Sequence, residues 1–184
     1  MTTRMLSAGL AALFVTTLLV AATPRSCLAE GEFARTTIDL GVVVSDVEKS
    51  VEFYTKAIGF TEVKGFKVTA ALATDGGLTN RQPLDIRVLV LGEEKTATRL
   101  KLMEVPAVES KKSDNSFIHS QLGYSYLTIS INDTNAAMAR LKKAGVKPIA
   151  KCPVELPENL APGVFLTVVR DPDGNVVELV GPKK

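Results

Sequence analysis

Cysteine, histidine and excess charge are all scarce in this sequence of 184 residues. The chain has two cysteines and one histidine, and its formal net charge is only +2. Nucleic acids and anionic membrane surfaces attract proteins largely through clustered lysine and arginine, and this chain has no basic run. We therefore expect neither of them to be the main partner.

The first 29 residues have the pattern of an export signal rather than of a folded domain. Arg4 precedes a nearly uninterrupted apolar run, Leu6–Ala22, and Cys27–Ala29 ends the segment like a cleavage site. We expect cleavage after Ala29, a mature chain over 30–184, and a secreted or periplasmic location. An uncleaved membrane anchor is the alternative. Cleavage would remove two arginines and no acidic residue, which leaves 20 basic and 20 acidic residues in a formally neutral domain.

A single cysteine, Cys152, would remain after cleavage. An exported domain with one thiol has no internal disulfide, so its stability must come from a hydrophobic core. Cys152 stands beside Pro153 in a predicted strand, and we expect it to be a small buried residue rather than a nucleophile. The span 30–184 has the size of one domain.

The same order of predicted elements, strand-helix-strand-strand-strand, occurs twice after the leader. Module 1 is predicted at about 36–106, a polar linker at 107–121 and module 2 at about 122–182. One such module alone leaves a sheet face with little to cover it, so two modules are expected to bury their helices on the outer faces. The predicted fold class is α+β, with curved mixed sheets around a shared groove that suits a small molecule.

Caps and apolar spacing predict the two helices. The first begins at Ser45, with Glu48 at the spacing of a capping box, and ends at Gly59. The second is capped by Asp133 or the preceding asparagine and ends at Gly145. Strands are predicted at 37–44, 60–68, 84–91, 98–105, 124–131, 146–154, 164–170 and 176–180, with a glycine-rich loop at 74–80.

Three segments in this order resemble a known family. They are 38–60 (IDLGVVVSDVEKSVEFYTKAIGF), 126–145 (YLTISINDTNAAMARLKKAG) and 171–180 (DPDGNVVELV). Together they resemble the vicinal oxygen chelate superfamily, which includes glyoxalase I, extradiol dioxygenases, fosfomycin-resistance enzymes and bleomycin-binding proteins. The resemblance covers nearly all of 36–182, and it implies the doubled module and the groove.

For metal-using members, the resemblance implies four ligands facing the groove, typically His or Gln and Glu. Matched one by one, these positions hold Asp39 and Lys101 in module 1 and Tyr126 and Glu178 in module 2. Only Glu178 has the implied residue type. Because the ammonium of Lys101 would repel a divalent cation and pair with either carboxylate, we expect no cofactor and no metal. If one divalent metal ion binds, Glu178 and Asp39 are its expected ligands.

Several of these residues have structural alternatives. Asp39 would satisfy backbone groups at a sheet edge, Tyr126 would pack in the core, and Lys101 would extend out of the groove. His119 is the only side chain with an ordinary pKa near neutrality, but a lone loop histidine is usually exposed. Glu104, three residues after Lys101, is expected on the opposite face of its strand.

Three functions follow from this reading. The first is an exported glyoxalase-like protein that binds a small molecule in the groove through Asp39, Lys101, Tyr126 and Glu178, without a catalytic metal. The second is a divalent-metal-dependent lyase or isomerase, or a dioxygenase. The third is a scaffold module that associates through sheet edges. We favour the first, because three of the four positions depart from the metal pattern; the sequence leaves open whether the protein is a monomer or a homodimer.

Overall fold

A computed structural model describes residues 34–35 and 37–184, so the predicted signal segment lies outside the described residues. The elements of module 1 are β1 (Leu40–Val43), α1 (Val47–Glu52), β2 (Thr61–Val68), α2 (Ala70–Asp75), β3 (Leu84–Val90) and β4 (Arg99–Glu104). Those of module 2 are β5 (Tyr126–Ser130), α3 (Thr134–Lys143), β6 (Val154–Glu155), β7 (Val164–Arg170) and β8 (Val176–Pro182). Helix α1 continues as a π-helical segment, Phe53–Ile58. Within this part of the chain no helix is both long and apolar enough to cross a membrane.

Each module forms a four-stranded mixed sheet, and the two sheets have equivalent strand orders, β1-β4-β3-β2 and β5-β8-β7-β6. In both, the first strand lies at an edge and pairs in parallel with the last strand of its module. The other neighbours pair in antiparallel fashion. The predicted α+β class and the two tandem modules are confirmed.

One apolar core joins the two modules. The π-helical segment of module 1 contacts α3 of module 2, and residues of both sheets belong to the same buried cluster. Its fully buried leucines are Leu89, Leu102, Leu141 and Leu179. Burial of each such side chain contributes about 1.5–3 kcal/mol. This core covers the helix-bearing face of each sheet, and we call the opposite face of each sheet its groove face.

Strand alternation assigns the residues of the groove face. Its members on and next to the four strands nearest the module boundary are Asp39, Gly41, Val43, Arg99, Lys101, Met103, Tyr126, Thr128, Ser130, Val176, Glu178 and Val180. Their neighbours in sequence, such as Leu102 and Leu179, face the core and are buried. Alternation therefore separates the residues that hold the fold from those that are available to a ligand.

The predicted start of the first helix was wrong. The cap is Asp46 rather than Ser45, because the Asp46 side chain accepts a hydrogen bond from Lys49 N at 3.0 Å. Glu48 closes no capping box. Its carboxylate forms an ion pair with Arg87 on the helix-bearing face of the module 1 sheet. A longer-range partner thus replaces the local one that the spacing suggested.

Two further predicted elements were wrong. The loop predicted at 74–80 begins inside α2, whose first turn is capped by Thr69. The strand predicted at 146–154 is reduced to β6, because only its last residue and the following one form a ladder with β7, whereas Ile149 N makes an isolated hydrogen bond to Val168 O at 2.8 Å. Pro148 and Pro153 lack the amide hydrogen that a continuous ladder would need there.

Candidate functional site

An ion pair between Asp39 and Lys101 lies on the groove face of module 1. Lys101 Nζ is 2.8 Å from Asp39 Oδ2, and an Arg35 guanidinium nitrogen donates to the same oxygen at 2.7 Å. The parallel pairing of β1 with β4 aligns Gly41 with Lys101, so the residue that precedes β1 is within reach of the lysine. Asp39 and Lys101 are 13% and 26% exposed. Two cations sharing one carboxylate leave one surplus positive charge.

The two cations also determine the protonation state of Asp39. Burial by itself would raise the pKa of this carboxyl group, but the hydrogen bonds from Lys101 and then Arg35 outweigh it and hold the pKa below the ordinary value of 3.8. Oδ1, the other carboxylate oxygen, is buried and has no hydrogen-bond partner in the described part of the chain. Asp39 is therefore ionised at neutral pH and keeps one acceptor atom unused.

Apolar groups border the ammonium of Lys101. It lies 5.7 Å from the centroid of the Phe66 ring, within the range of a cation–π contact. The neighbouring strand β3 adds buried side chains to the same face of the sheet, namely Leu84, Ile86 and Val88. Gly41 has no side chain to cover the lysine, and a Cβ there would touch only Met103, at 3.4 Å. The cation thus stands at the border of an apolar surface that is open towards β1.

Glu178 occupies the equivalent position on β8 but has a different partner. Its Oε2 accepts a hydrogen bond of 2.7 Å from Thr128 Oγ1, and Thr128 is its register neighbour on β5. Of the two carboxylates with which Lys101 was predicted to pair, Glu178 is not the partner, because Lys101 pairs with Asp39 of its own module. Among the described residues Glu178 takes part in no ion pair.

Tyr126 lies at the surface, so the alternative in which it packs in the core is wrong. Its side chain is 53% exposed, while the core side of the same strand holds the buried Ile129. Tyr126 lines a cleft of about 260 Å³ between the edge strands β1 and β5, together with Gly41 and Val43. The cleft lies between the edge strands of the two modules, and core-side residues such as Leu40 and Leu127 also line it.

The three remaining candidate residues have positions and contacts that the fold itself explains. Glu104 accepts a hydrogen bond of 3.0 Å from Val47 N, which satisfies the first turn of α1. His119 is exposed in the linker, as expected, and stacks on Phe117. Cys152 is only partly buried and lies outside the strands, so its predicted place in a strand interior was wrong.

A buried hydrogen-bond network near the cleft was not predicted. Asp171 is 5% exposed and accepts hydrogen bonds from Tyr54 Oη at 3.0 Å, from Asp173 N at 3.0 Å and from two nitrogens of Asn175 at 2.8 and 2.9 Å. Burial and then the Asp171 carboxylate raise the pKa of Tyr54 well above its ordinary value, so its hydroxyl stays a donor. The network ties the turn before β8 to the helix of module 1.

Arg35 was also missed by sequence reasoning. It precedes β1, belongs to no recognisable motif and reaches Asp39 only because the chain brings the two residues together just before the strand. Its (i, i+4) spacing from Asp39 is the one signal that could have suggested a pair, but that spacing indicates contact only in a helix.

The family of the chain follows from comparison with known proteins. The model of the Glyoxalase/Bleomycin resistance protein/Dioxygenase superfamily matches residues 36–179. This chain belongs to that superfamily. A search of curated proteins found no match. The matched span begins just before Asp39 and ends just after Glu178, so it contains both modules of this superfamily member.

Solved structures with low sequence identity share the fold. A glyoxalase family protein from Bacillus cereus has a TM-score of 0.66 and 19% identity, over 85% of this chain and 99% of that one. A glyoxalase I mutant from Zea mays has a TM-score of 0.57 and 18% identity, over 80% of this chain and 46% of that one. A glyoxylase/bleomycin resistance protein/dioxygenase domain from Frankia sp. EAN1pec has a TM-score of 0.55 and 18% identity, over 79% and 95%. At these identities the likeness establishes the fold alone.

Proposed function

We propose that this superfamily member is an exported protein that binds a small molecule on its groove face without a resident metal ion. The observation that carries the proposal is the ion pair of Lys101 with Asp39, at 2.8 Å. Both residues stand at positions that the family resemblance matches to metal ligands. An internal cation therefore neutralises the carboxylate that a metal would otherwise use.

The residues at the four matched positions do not fit a divalent metal centre. A protonated lysine has no lone pair to give to a metal, and its charge repels one. Asp39 Oδ2 already accepts from two cations, Lys101 and Arg35. In the described part of the chain no three His, Cys, Asp or Glu side chains are close enough together to hold a metal ion. A lyase, isomerase or dioxygenase reaction that needs a metal would require Lys101 to leave this pair.

Small-molecule sites usually combine a mostly apolar surface with a few polar groups that orient the ligand. The groove face has this composition. Lys101 supplies a half-buried cation, Asp39 Oδ1 and Glu178 supply acceptors, and Phe66 and Tyr126 supply exposed aromatic surface. The cleft between β1 and β5, which Tyr126 helps to line, adds an uncharged surface.

Thermal unfolding in the presence of a chelator tests the binding function. The probes are a panel of apolar compounds, amines and carboxylates, each added to metal-free protein. A ligand at a hundred times its dissociation constant stabilises by about 2.7 kcal/mol, which raises the melting temperature by roughly 5 °C or more for a domain of this size. We expect at least one class of probe to do so, and Lys101→Gln or Glu178→Gln to reduce the shift. A panel without any shift would contradict the proposal.

Metal analysis distinguishes the metal-dependent enzyme from the metal-free receptor. Purified protein is dialysed against zinc, nickel, manganese or iron(II) and then against buffer, and the retained metal is measured. We expect no retention near one ion per chain. Stoichiometric metal that is lost in Glu178→Gln would favour the metal-dependent lyase, isomerase or dioxygenase instead.

The export part of the proposal rests on the segment 1–29 and has its own test. N-terminal sequencing of protein recovered from the envelope or the medium is expected to begin at Glu30. A chain that begins at Met1 would contradict cleavage and would favour the anchored alternative.

A further inference from the structure

The groove face of module 1 presents a positive pole. Lys101 and Arg35 share the single oxygen Asp39 Oδ2, so three charged groups leave one positive charge in excess. No side chain of its register neighbour on β1 covers the lysine, because that neighbour is Gly41. A second anion that approaches from the cleft can therefore contact the ammonium without displacing Asp39.

Module 2 presents a negative pole at the equivalent place. Glu178 receives only a neutral hydroxyl, that of Thr128 at 2.7 Å, and forms no ion pair among the described residues. Arg170 is a cation on the same face of β7, but its guanidinium donates to the carbonyl oxygens of Gly174 and Ser116, at 2.8 and 3.0 Å. The carboxylate thus has free acceptor capacity for a further donor.

Each pole lies on the strand next to one edge of the cleft. Lys101 is on β4 and Glu178 is on β8, and each of these strands pairs with an edge strand that lines the cleft. The residues that line the cleft carry no charge, and they include Gly41, Val43 and Tyr126. A molecule that spans the cleft would meet a cation on one side, an anion on the other and apolar contacts between them.

We propose that the ligand is bipolar, with an anionic group bound at Lys101 and Arg35, an ammonium group bound at Glu178, and an apolar segment across the cleft. This inference rests on the proposed small-molecule binding and names its ligand class. Charge-assisted hydrogen bonds are stronger than neutral ones, and a ligand with a single charge leaves the other pole without a partner. A matched zwitterion therefore binds more tightly than either singly charged analogue.

Calorimetric titration with three homologous series of probes tests this ligand class. The first series consists of unbranched ω-amino carboxylates with three to eleven methylene groups. The others are alkanoates and alkylamines of the same lengths. At the optimal length we expect the amino carboxylate to bind at least about tenfold more tightly than both analogues, and this optimum reports the distance between the poles.

Two variants assign the poles. Lys101→Gln is expected to remove the advantage over the alkylamine, and Glu178→Gln to remove the advantage over the alkanoate. Lys142→Gln on α3 and Glu158→Gln are matched controls, since both residues are exposed and lie off the groove face. We expect these controls to leave all affinities unchanged.

The outcomes separate this inference from the binding function on which it rests. If alkanoates bind as tightly as amino carboxylates at every length and lose affinity in Lys101→Gln, the groove binds anions and the bipolar ligand is wrong. If no probe of the three series binds at millimolar concentration, the bipolar ligand is also wrong. The thermal panel, which includes unrelated compounds, then decides separately whether the groove binds any small molecule.

Discussion

The two modules have the same backbone fold but carry different chemistry at equivalent places. On the last strand, Lys101 of module 1 corresponds to Glu178 of module 2. Near the first strand, Asp39 is partly buried and forms an ion pair, whereas Tyr126 is 53% exposed beside the cleft. The repeat therefore specifies positions on a surface, and the side chains at those positions have become different.

What the modules share is the side of each sheet that faces the core. On β4 the alternate residues Leu100 and Leu102 are buried, and on β8 Val177 and Leu179 are buried in the same way. These side chains must fill one common core, so their size and polarity are constrained in both modules. The residues between them face outward and are free to differ. The comparison teaches that a duplicated fold can be maintained by one face of its sheets and specialised by the other.

The largest effect on the paired modules is expected from removing the hydrogen-bond network that joins them. Asp171→Ala leaves several buried donors without an acceptor, so we expect the free energy of unfolding to fall by about 3 kcal/mol. Tyr54→Phe is the matched control; it removes one hydrogen bond of the same network and should cost about 1 kcal/mol. Urea denaturation measures both. Equal, small effects would mean that the network does not join the modules.

Making module 1 resemble module 2 tests the role of the lysine charge. Lys101→Glu places a carboxylate where Glu178 stands in the other module and removes the cation beside Asp39. We expect this variant to bind manganese(II) at least about tenfold more tightly than Lys101→Gln, which removes the charge without adding a ligand. Titration calorimetry compares the two. Equal affinities would show that the four positions do not converge on one site.

The pH dependence of Asp39 is a third test. Its folded pKa lies below 3.8, so the stability that its ion pairs contribute is complete above that pH and is lost as the pH falls through the folded pKa. Asp39→Asn should lose about 1 kcal/mol at neutral pH, because the pair is partly exposed. The difference from the unchanged protein should shrink in acid. Asp75→Asn, at an exposed position, should show no such trend.

The smallest effect is expected on the side of module 2. Glu178→Gln keeps an oxygen that can accept from Thr128, and the site is partly open to solvent. The free energy of unfolding should change by no more than about 0.5 kcal/mol. A loss comparable with that of Asp171→Ala would mean that Glu178 supports the fold rather than facing a ligand. Chemical denaturation of the single variant decides this.

Much of the fold could be predicted because its signals are local. Glycine ends the first helix at Gly59, which has a φ of 104°, a conformation that other residues rarely adopt. The repeated order of elements then predicted two modules. Helix α2 was missed because six residues are too few to show a helical period. The strand predicted at 146–154 failed because alternation says nothing about whether a neighbouring strand extends far enough to pair.

The site was only partly predictable for a related reason. The family resemblance gave the positions of Asp39, Lys101 and Glu178, and strand pairing then places Lys101 beside Gly41 and Glu178 beside Thr128, each on the face of its own sheet opposite the core. The resemblance does not predict which group contacts each carboxylate. The contacts of Arg35 with Asp39 and of Thr128 with Glu178 depend on the three-dimensional path of the chain. Which group a side chain contacts depends on how far that side chain extends in the folded protein. Neither the periodicity nor the spacing of residues in the sequence gives this information.

The common core has a consequence for the connection between the modules. Residues 35–184 form one compact unit, although 106–114 is mostly exposed and joins the two sheets. A proteolytic cut in this stretch would leave two fragments whose buried leucines pack in one common core. We therefore expect neither fragment to stay folded when the other is removed. The covalent linker then serves mainly to keep the halves at high effective concentration. Cooperative unfolding of the whole unit, rather than stepwise loss of one module, is the behaviour that this packing dictates.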